Sequence, residues 1–283
     1  MKNNIYLFIL SINISLFLIN SSIGSIITDG LVSYWTFDNE HIVDKTAKDV
    51  WGDNNGKING NPKLVNGKVG EALEFDGAKD FINLTTLGDF GRKMGTSTFE
   101  AWIKTKNNND WMNLVNTHGI ECPFWGIQLN GLKSKDAFRR GRGMMFFINS
   151  VERKRACSAY FIGNNINFYD GEWHHIVYIN ELNLEDGKTK EFVYIDSIAH
   201  GSIHGSFGND WITLQFTEPV HLGVSNFEGK TEGFFEGMID EVRFYDRSLK
   251  LEEIRHNYES TAPFNVEPNG KLPTVWGALK KKF

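Results

Sequence analysis

The strongest constraint on this chain is a succession of short segments in which apolar and polar residues alternate, separated by turn residues, with no helical period until near the end. Residues 98–104 set the pattern: Phe99, Ala101 and Ile103 fall on one side of a strand and Thr98, Glu100 and Trp102 on the other. Comparable runs at residues 31–37, 111–115, 125–129, 144–148, 156–161, 176–180, 192–195, 220–223 and 238–245 predict strands. Asp76-Gly77 between apolar runs at 72–75 and 81–84 predicts a hairpin. Residues 38–60, punctuated by Asp53-Asn54-Asn55-Gly56, read as a long loop, and Gly201 and Gly205 beside His200 and His204 place that stretch in a loop as well. The single convincing helix spans residues 251–258, with Leu251, Ile254, Arg255 and Tyr258 on one face. Many strands at close spacing without intervening helices predict an all-β, two-sheet antiparallel sandwich with one short C-terminal helix, not βαβ units.

A length of 283 residues suits one such sandwich, and 28 glycines with 22 phenylalanines and 8 tryptophans match many tight turns around an aromatic core. The net charge of -5 argues against attraction of the whole molecule to a phosphate backbone, so no nucleic-acid partner is expected.

Lys2 followed by an apolar run at residues 5–19 and then Ser21, Ser22 and Gly24 reads as a signal peptide, 1–24, cut after Gly24. The alternative is an uncleaved anchor, for which the run is short. No second spanning segment is expected, so the rest is predicted to be secreted or held at the cell envelope, as a domain over 25–260. A C-terminal extension, 261–283, carries Pro263, Pro268 and Pro273 and no apolar pattern of its own. In an oxidising compartment the two cysteines, Cys122 and Cys157, are candidates for a disulfide; two separate buried thiols are the alternative.

Four segments carry a family likeness: Gly30-Leu31-Val32-Ser33-Tyr34-Trp35-Thr36-Phe37-Asp38, Gly70-Glu71-Ala72-Leu73-Glu74-Phe75-Asp76-Gly77, Gly171-Glu172-Trp173-His174-His175-Ile176-Val177-Tyr178 and Phe235-Glu236-Gly237-Met238-Ile239-Asp240-Glu241-Val242-Arg243-Phe244-Tyr245. In this order the chain resembles the laminin-G-like jelly-roll domains of the concanavalin A-like lectin/glucanase superfamily found in secreted bacterial proteins. The resemblance implies a jelly-roll sandwich whose first and last strands lie close. It says little about the ligand. Lys250 stands where the family often has a serine at the helix start, which leaves Ser248 as the expected cap. The segment between the cysteines matches no family motif and is unusually basic.

Three chemistries compete for the site. Sandwich glucanases place carboxylates two residues apart on one strand face; here the nearest cluster is Glu236, Asp240 and Glu241, and simple alternation sends Asp240 and Glu241 to opposite faces. His174 and His175 diverge for the same reason and read as packing residues. A structural calcium ion needs several hard oxygen ligands, and Asp38, Asp49, Asn55 and Asp240 are the candidates, since the resemblance brings the first and last strands together. The competing role for Asp38, Asp49 and Asn55 is local turn formation, the role also expected of Asp76. Finally, Arg139, Arg140, Arg142, Arg153 and Arg155 either decorate a solvated strand face or form a patch for sulfate, uronate or phosphate groups, with Phe124 and Trp125 stacking on sugar rings. The expectation is a non-catalytic binding module for an extracellular glycan or surface protein, with an adhesive envelope protein and a divergent glycoside hydrolase as alternatives.

Overall fold

The computed structural model describes residues 26–84, 96–107, 111–117, 124–130, 143–149, 158–162, 166–183, 188–206, 219–227 and 230–260. The predicted signal peptide, the C-terminal extension, both cysteines and all five arginines of the basic segment lie outside these residues.

The described chain runs through β1 (Leu31–Trp35), β2 (Ile42–Val43), β3 (Thr46–Ala47), β4 (Gly56–Asn59), β5 (Lys63–Asn66), β6 (Glu71–Asp76), β7 (Phe81–Asn83) and β8 (Ser97–Lys104). It continues through β9 (Trp111–Asn116), β10 (Phe124–Asn130), β11 (Gly143–Asn149), β12 (Ser158–Ile162), β13 (His174–Asn183), β14 (Lys188–Ile195) and β15 (Ile198–Ser206). The last elements are β16 (His221–Leu222), β17 (Ser225–Phe227), β18 (Lys230–Glu232), β19 (Glu236–Tyr245) and the helix α1 (Leu251–Glu259). Two large antiparallel sheets result, with β17 and β18 paired separately as a hairpin. One has eight strands in the order β15-β14-β13-β8-β19-β6-β5 with β1 also on β19; the other has nine in the order β12-β11-β10-β9-β16-β7-β4-β3-β2. This is the expected all-β sandwich. Among the described residues no helix is long and apolar enough to cross a membrane.

The inward residues of both sheets form one core. Phe99, Ala101 and Ile103 of β8, Ile239, Val242 and Phe244 of β19 and Val193 and Ile195 of β14 meet Met112 and Val115 of β9, Ile127 and Leu129 of β10 and Leu222 of β16. A smaller apolar cluster lies on the opposite side of the eight-stranded sheet, where Tyr34, Val177, Ile179 and Tyr245 pack under Leu249 and Ile254. The second face of β8 is therefore covered too. Thr98, Glu100 and Trp102 are buried, where alternation alone predicted a half-exposed strand.

Four local readings are corrected. The Asp76-Gly77 turn joins no hairpin, because β6 belongs to the eight-stranded sheet and β7 to the nine-stranded one; Asp76 Oδ1 accepts the amides of Ala78, Lys79 and Asp80 and turns the chain from one layer to the other. The stretch holding His200 and His204 is strand β15, hydrogen-bonded to β14 despite its glycines. The predicted long loop at 38–60 contains β2, β3 and β4. Ser248 does not cap α1: its hydroxyl donates to Glu181 Oε1, and Glu253 Oε2 instead accepts the Lys250 amide, half of a capping box.

Among the described inward residues Glu191 carries a titratable carboxyl. Glu191 shares the parity of Val193 and Ile195 on β14, is 1% exposed and is hydrogen-bonded to Tyr178. Burial raises its carboxyl from 4.5 to about 7, against the smaller opposing effect of the Tyr178 hydroxyl. A carboxyl held protonated by folding favours the native state at low pH and loses that advantage as pH rises from about 4.5 through 7. Glu191→Gln is expected to match the wild type near pH 4 and to exceed it by roughly 3 kcal/mol at pH 8. Urea unfolding at both pH values checks this; identical pH profiles for the two proteins would refute it.

Candidate functional site

A carboxylate site forms where β19 changes partners. Its first half pairs with β6 up to Ile239 opposite Leu73, and its second half pairs with β1 from Val242 opposite Trp35. Between them the register on β8 shifts and Glu241 adopts φ 53, a left-handed conformation uncommon for a residue with a side chain. This bulge defeats the alternation expected from the sequence. Ile239 and Val242 both point into the core, and Asp240, Glu241 and Arg243 all fall on the outer face, the first two with 0% and 2% exposure.

The loop at 67–71 closes over this point. Asp240 Oδ2 accepts the amides of Lys68 and Val69 at 2.8 and 3.1 Å, and Asp38 Oδ1 accepts that of Glu71 at 2.8 Å. Two glycines permit the approach: a Cβ on Gly67 would stand 2.6 Å from Asp240 Oδ2, and one on Gly70, which has φ 55, would overlap Asp38 Oδ1. Phe37, just before Asp38, is a second buried residue at positive φ, 58. Strain at both Phe37 and Glu241 is a cost that the surrounding packing must offset.

The electrostatics are unbalanced. Tyr34 donates its hydroxyl to Glu241 Oε2, Arg243 bridges Glu241 Oε2 and Glu100 Oε1, and Tyr245 and Asn257 donate to the same Glu100 oxygen. His175 Nε2 lies 3.5 Å from Glu100 Oε2. Burial raises the Glu100 carboxyl, but Arg243 and then His175 outweigh it and hold the group at about 2. Asp240 and Glu241 behave in the opposite way. Burial pushes both up; the Glu241 charge next adds to this for Asp240, whereas Arg243 only partly opposes it for Glu241, and the Asp38 charge raises both. Two buried carboxylates, Glu100 and Glu241, thus share one guanidinium while the buried Asp38 and Asp240 lie close enough to act on their neighbours, and Asp240 Oδ1 and Glu241 Oε1 have no hydrogen-bond partner. Lys68, whose amide binds Asp240, rests its ammonium 4.1 Å from the centre of the Trp102 ring. On its far side Asp38 shares a group with Glu40 and His41, whose ligand atoms all lie within 4.8 Å of one another.

Hard oxygen donors in surplus over positive charge fit a calcium ion. Of the four residues anticipated from sequence, Asp38 and Asp240 meet this description. Asp49 and Asn55 serve the neighbouring loop: Asp49 accepts the amides of Tyr34, Trp51, Gly52 and Asn54, and Asn55 Oδ1 accepts that of Asp49. Four N–H dipoles aimed at one carboxylate would repel a cation. Glu241 was not anticipated as a ligand, because only the bulge brings it to the same side as Asp240.

His174 and His175 diverge as expected. The His174 ring lies between Asp196 Oδ2 at 2.8 Å and Asp170 Oδ1 at 3.2 Å, and its pKa is raised, chiefly by Asp196. His175 is buried against Trp102 and Glu100. Phe124 and Trp125 belong to β10, with side chains outside the described set.

A second polar region occupies the outer face of the nine-stranded sheet. Register puts Asn113 opposite Gln128, Asn116 opposite both Gly126 and His221, and His221 opposite Asn83, while their strand neighbours point into the core. Asn113 Nδ2 donates to Gly233 O, after the β17–β18 hairpin, and Asn226 Nδ2 lies 3.5 Å from His221 Nε2. Phe81, partly exposed like Phe234, stands 6.1 Å from the His221 ring and 6.3 Å from the Phe234 ring. The alternation of asparagine and glutamine with apolar residues in Trp111-Met112-Asn113-Leu114-Val115-Asn116 and Ile127-Gln128-Leu129-Asn130 was the available signal for this face.

The family model Laminin_G_3, described as the concanavalin A-like lectin/glucanases superfamily, matches residues 76–255. The chain belongs to this superfamily. Among solved structures it is similar to domain 4 of AbnA, a GH43 extracellular arabinanase from Geobacillus stearothermophilus, in complex with arabinotriose, with a TM-score of 0.55 and 16% identity over 81% of this chain and 98% of that one. The binding domain of Paraclostridial Mosquitocidal Protein 1 gives 0.58 and 16% over 81% and 52%, and Trypanosoma rangeli sialidase with the inhibitor DANA gives 0.53 and 15% over 82% and 33%. The chain thus spans about half of the toxin binding domain and a third of the sialidase. At these identities the likeness shows the fold, which superfamily members use both for binding and within enzymes. No curated protein sequence matches the chain.

The buried network makes Arg243 costly to remove. Arg243→Met is expected to lose about 3–5 kcal/mol, because Glu100 and Glu241 would be left charged and unpaired. In the wild type the depressed Glu100 carboxyl contributes stability that is present above its ordinary 4.5 and lost as pH falls toward about 2. The deficit of the variant should therefore be larger at pH 8 than at pH 4, as read by guanidinium unfolding. A pH-independent deficit below 1 kcal/mol would contradict this description.

Proposed function

We propose that this chain is a non-catalytic glycan-recognition module acting outside the cell, whose sandwich is fastened by a calcium ion held by Asp38, Asp240 and Glu241. The observation that carries the binding reading is the position of the coupled carboxylates. Asp240 and Glu241 lie beneath the 67–71 loop at 0% and 2% exposure, so a glycosidic bond in a polymer has no route to them. Acid-base hydrolysis needs two carboxyls reaching opposite sides of an accessible bond. The reading is also supported by the superfamily, by the arabinotriose complex of the AbnA domain and by a botulinum neurotoxin serotype D ligand-binding domain in complex with N-acetylneuraminic acid, at a TM-score of 0.50.

The ion's role is structural. It would supply the positive charge that the cluster lacks and join the end of β1 to the middle of β19, with the two orphaned oxygens as ligands. Signal-directed export, and a Cys122–Cys157 disulfide formed after it, belong to the same reading.

An ion bound by the native chain alone stabilises it by mass action, by about 2.7 kcal/mol at a hundredfold excess over its dissociation constant. Calcium is expected to raise the Tm of metal-stripped protein, and Asp240→Asn to remove that dependence while itself folding, since it relieves a buried charge. A wild-type Tm indifferent to calcium and chelator would refute the metal role. On a hydrolysis screen against arabinan, xylan, glucan and sialosides no turnover is expected; turnover abolished by Asp240→Asn would refute the binding reading.

A further inference from the structure

We propose that a cleft at the edge of the sandwich, between the terminal strands β5 and β2, is a ligand-binding subsite, and that it takes one acidic, acylated sugar residue. The inference rests on the glycan-recognition reading and narrows it to one site and one ligand class.

Topology leaves the cleft open. β5 ends the eight-stranded sheet and β2 ends the nine-stranded one, whereas at the opposite ends β15 and β12 lie against each other. Leu64 of β5 stands directly across from Leu73 of β6, so both face inward, yet Leu73 is 2% exposed and Leu64 38%. Leu64 is thus core surface without a cover. It forms with Leu73 the eight-stranded sheet's part of a cleft of about 220 Å³, and Ile42 of β2 and Ile58 of β4 form the other sheet's part. This is smaller than the roughly 300–1,000 Å³ of a drug-sized pocket and fits one compact ring with its substituents rather than a run of chain.

The rim decides the ligand. Of the residues lining the cleft Lys45 alone is charged, and the carboxamides Asn39 and Asn61 line it as well. Asp44 and Lys45 form the two-residue turn between β2 and β3, at φ 47 and 63. Such a turn favours glycine at its second position, so a lysine there keeps its side chain at a conformational cost. Lys45 Nζ donates to Gly60 O at 2.7 Å and to Asn61 Oδ1 at 2.9 Å, which holds the ammonium in place with one N–H left to give and leaves the Asn61 Nδ2 group to donate elsewhere. Asn61 is itself fixed, its backbone amide donating to Oδ1 of the buried Asp80 at 2.7 Å. A held ammonium and two carboxamides above an aliphatic floor match a carboxylate, the neighbouring hydroxyls and an acyl methyl on one sugar ring. The floor holds no aromatic ring on which the C–H face of a neutral sugar would stack. An anionic ligand was also the expectation for the Arg139–Arg155 segment, which lies outside the described residues; here one lysine calls for one carboxylate rather than a sulfated chain.

The test uses the full chain on an array of sialylated, de-N-acetylated sialylated, uronate-terminated and neutral oligosaccharides, followed by calorimetry on the best binder. Sialylated glycans are expected to bind, and loss of either the acetyl group or the carboxylate to weaken them by about tenfold or more. Lys45→Gln, at an exposed position, and Leu64→Phe, which fills the cleft, are each expected to weaken a sialylated glycan by about as much with Tm unchanged. If Leu64→Phe lowers the Tm, Lys45→Gln decides alone. Glu191→Gln, on the inner face of β14, should bind as the wild type does. A Tm lowered by Lys45→Gln with affinity unchanged would make Lys45 a fastener of the Gly60 turn only and overturn the site. Binding confined to neutral glycans, binding indifferent to the acetyl group, or sialoside binding that survives both substitutions overturns the site and ligand class and leaves the glycan-recognition reading standing. No binding to any glycan overturns both.

Discussion

The bulge at Glu241 is the constraint on which the rest of the molecule depends. A regular strand would carry β19 past β6 and β1 with strict alternation, leaving one of Asp240 and Glu241 in the apolar core. Holding Glu241 at φ 53 allows Ile239, Val242 and Phe244 to face inward and Asp240, Glu241 and Arg243 to face outward. The same step shifts β19 from one neighbour to the other and places three carboxylates where β1, the 67–71 loop and β19 converge. Tyr34, Glu100, Tyr245 and Asn257 then extend the polar network beneath α1, so that Asn257 also receives the Ile27 amide and the Tyr245 hydroxyl lies 3.0 Å from the Ile27 carbonyl. Both ends of the described sandwich are thus secured to the partners of one buried arginine.

Much of the fold was legible because period-2 alternation is a local property. The strands around residues 98–104, 176–180 and 238–245 appear where that pattern put them, as does the helix after Leu251. What failed was decided by distant parts of the chain. Asp76-Gly77 has the composition of a hairpin turn, but nothing in a dipeptide says whether the next strand joins the same sheet. Gly201 and Gly205 weaken a strand locally, yet pairing with β14 holds β15 in place. The bulge was invisible because Asp240-Glu241 holds no glycine to mark a positive φ, so the outward placement of Glu241 could be found only from its partners Tyr34 and Arg243.

The candidate sites show the same division. Asp38 and Asp240 were anticipated because the family likeness brings the first and last strands together, and the Asp38 charge does act on Asp240. Asp49 and Asn55 have the right chemistry but spend it on backbone amides. The amide-rich face of the nine-stranded sheet was written in β9 and β10 as asparagine and glutamine between apolar residues. Dispersed amides form no motif, whereas an arginine-rich segment stands out by charge alone.

The central claim is that the outward carboxylates at the bulge require a cation. Crystals grown with calcium and measured at long wavelength, where calcium scatters anomalously, test it most directly. The expected result is an anomalous peak about 2.3–2.6 Å from Asp240 Oδ1 and Glu241 Oε1 with Asp38 beside it. A water molecule or no density at that point, with Asp240 neutral and calcium bound elsewhere or not at all, would contradict it.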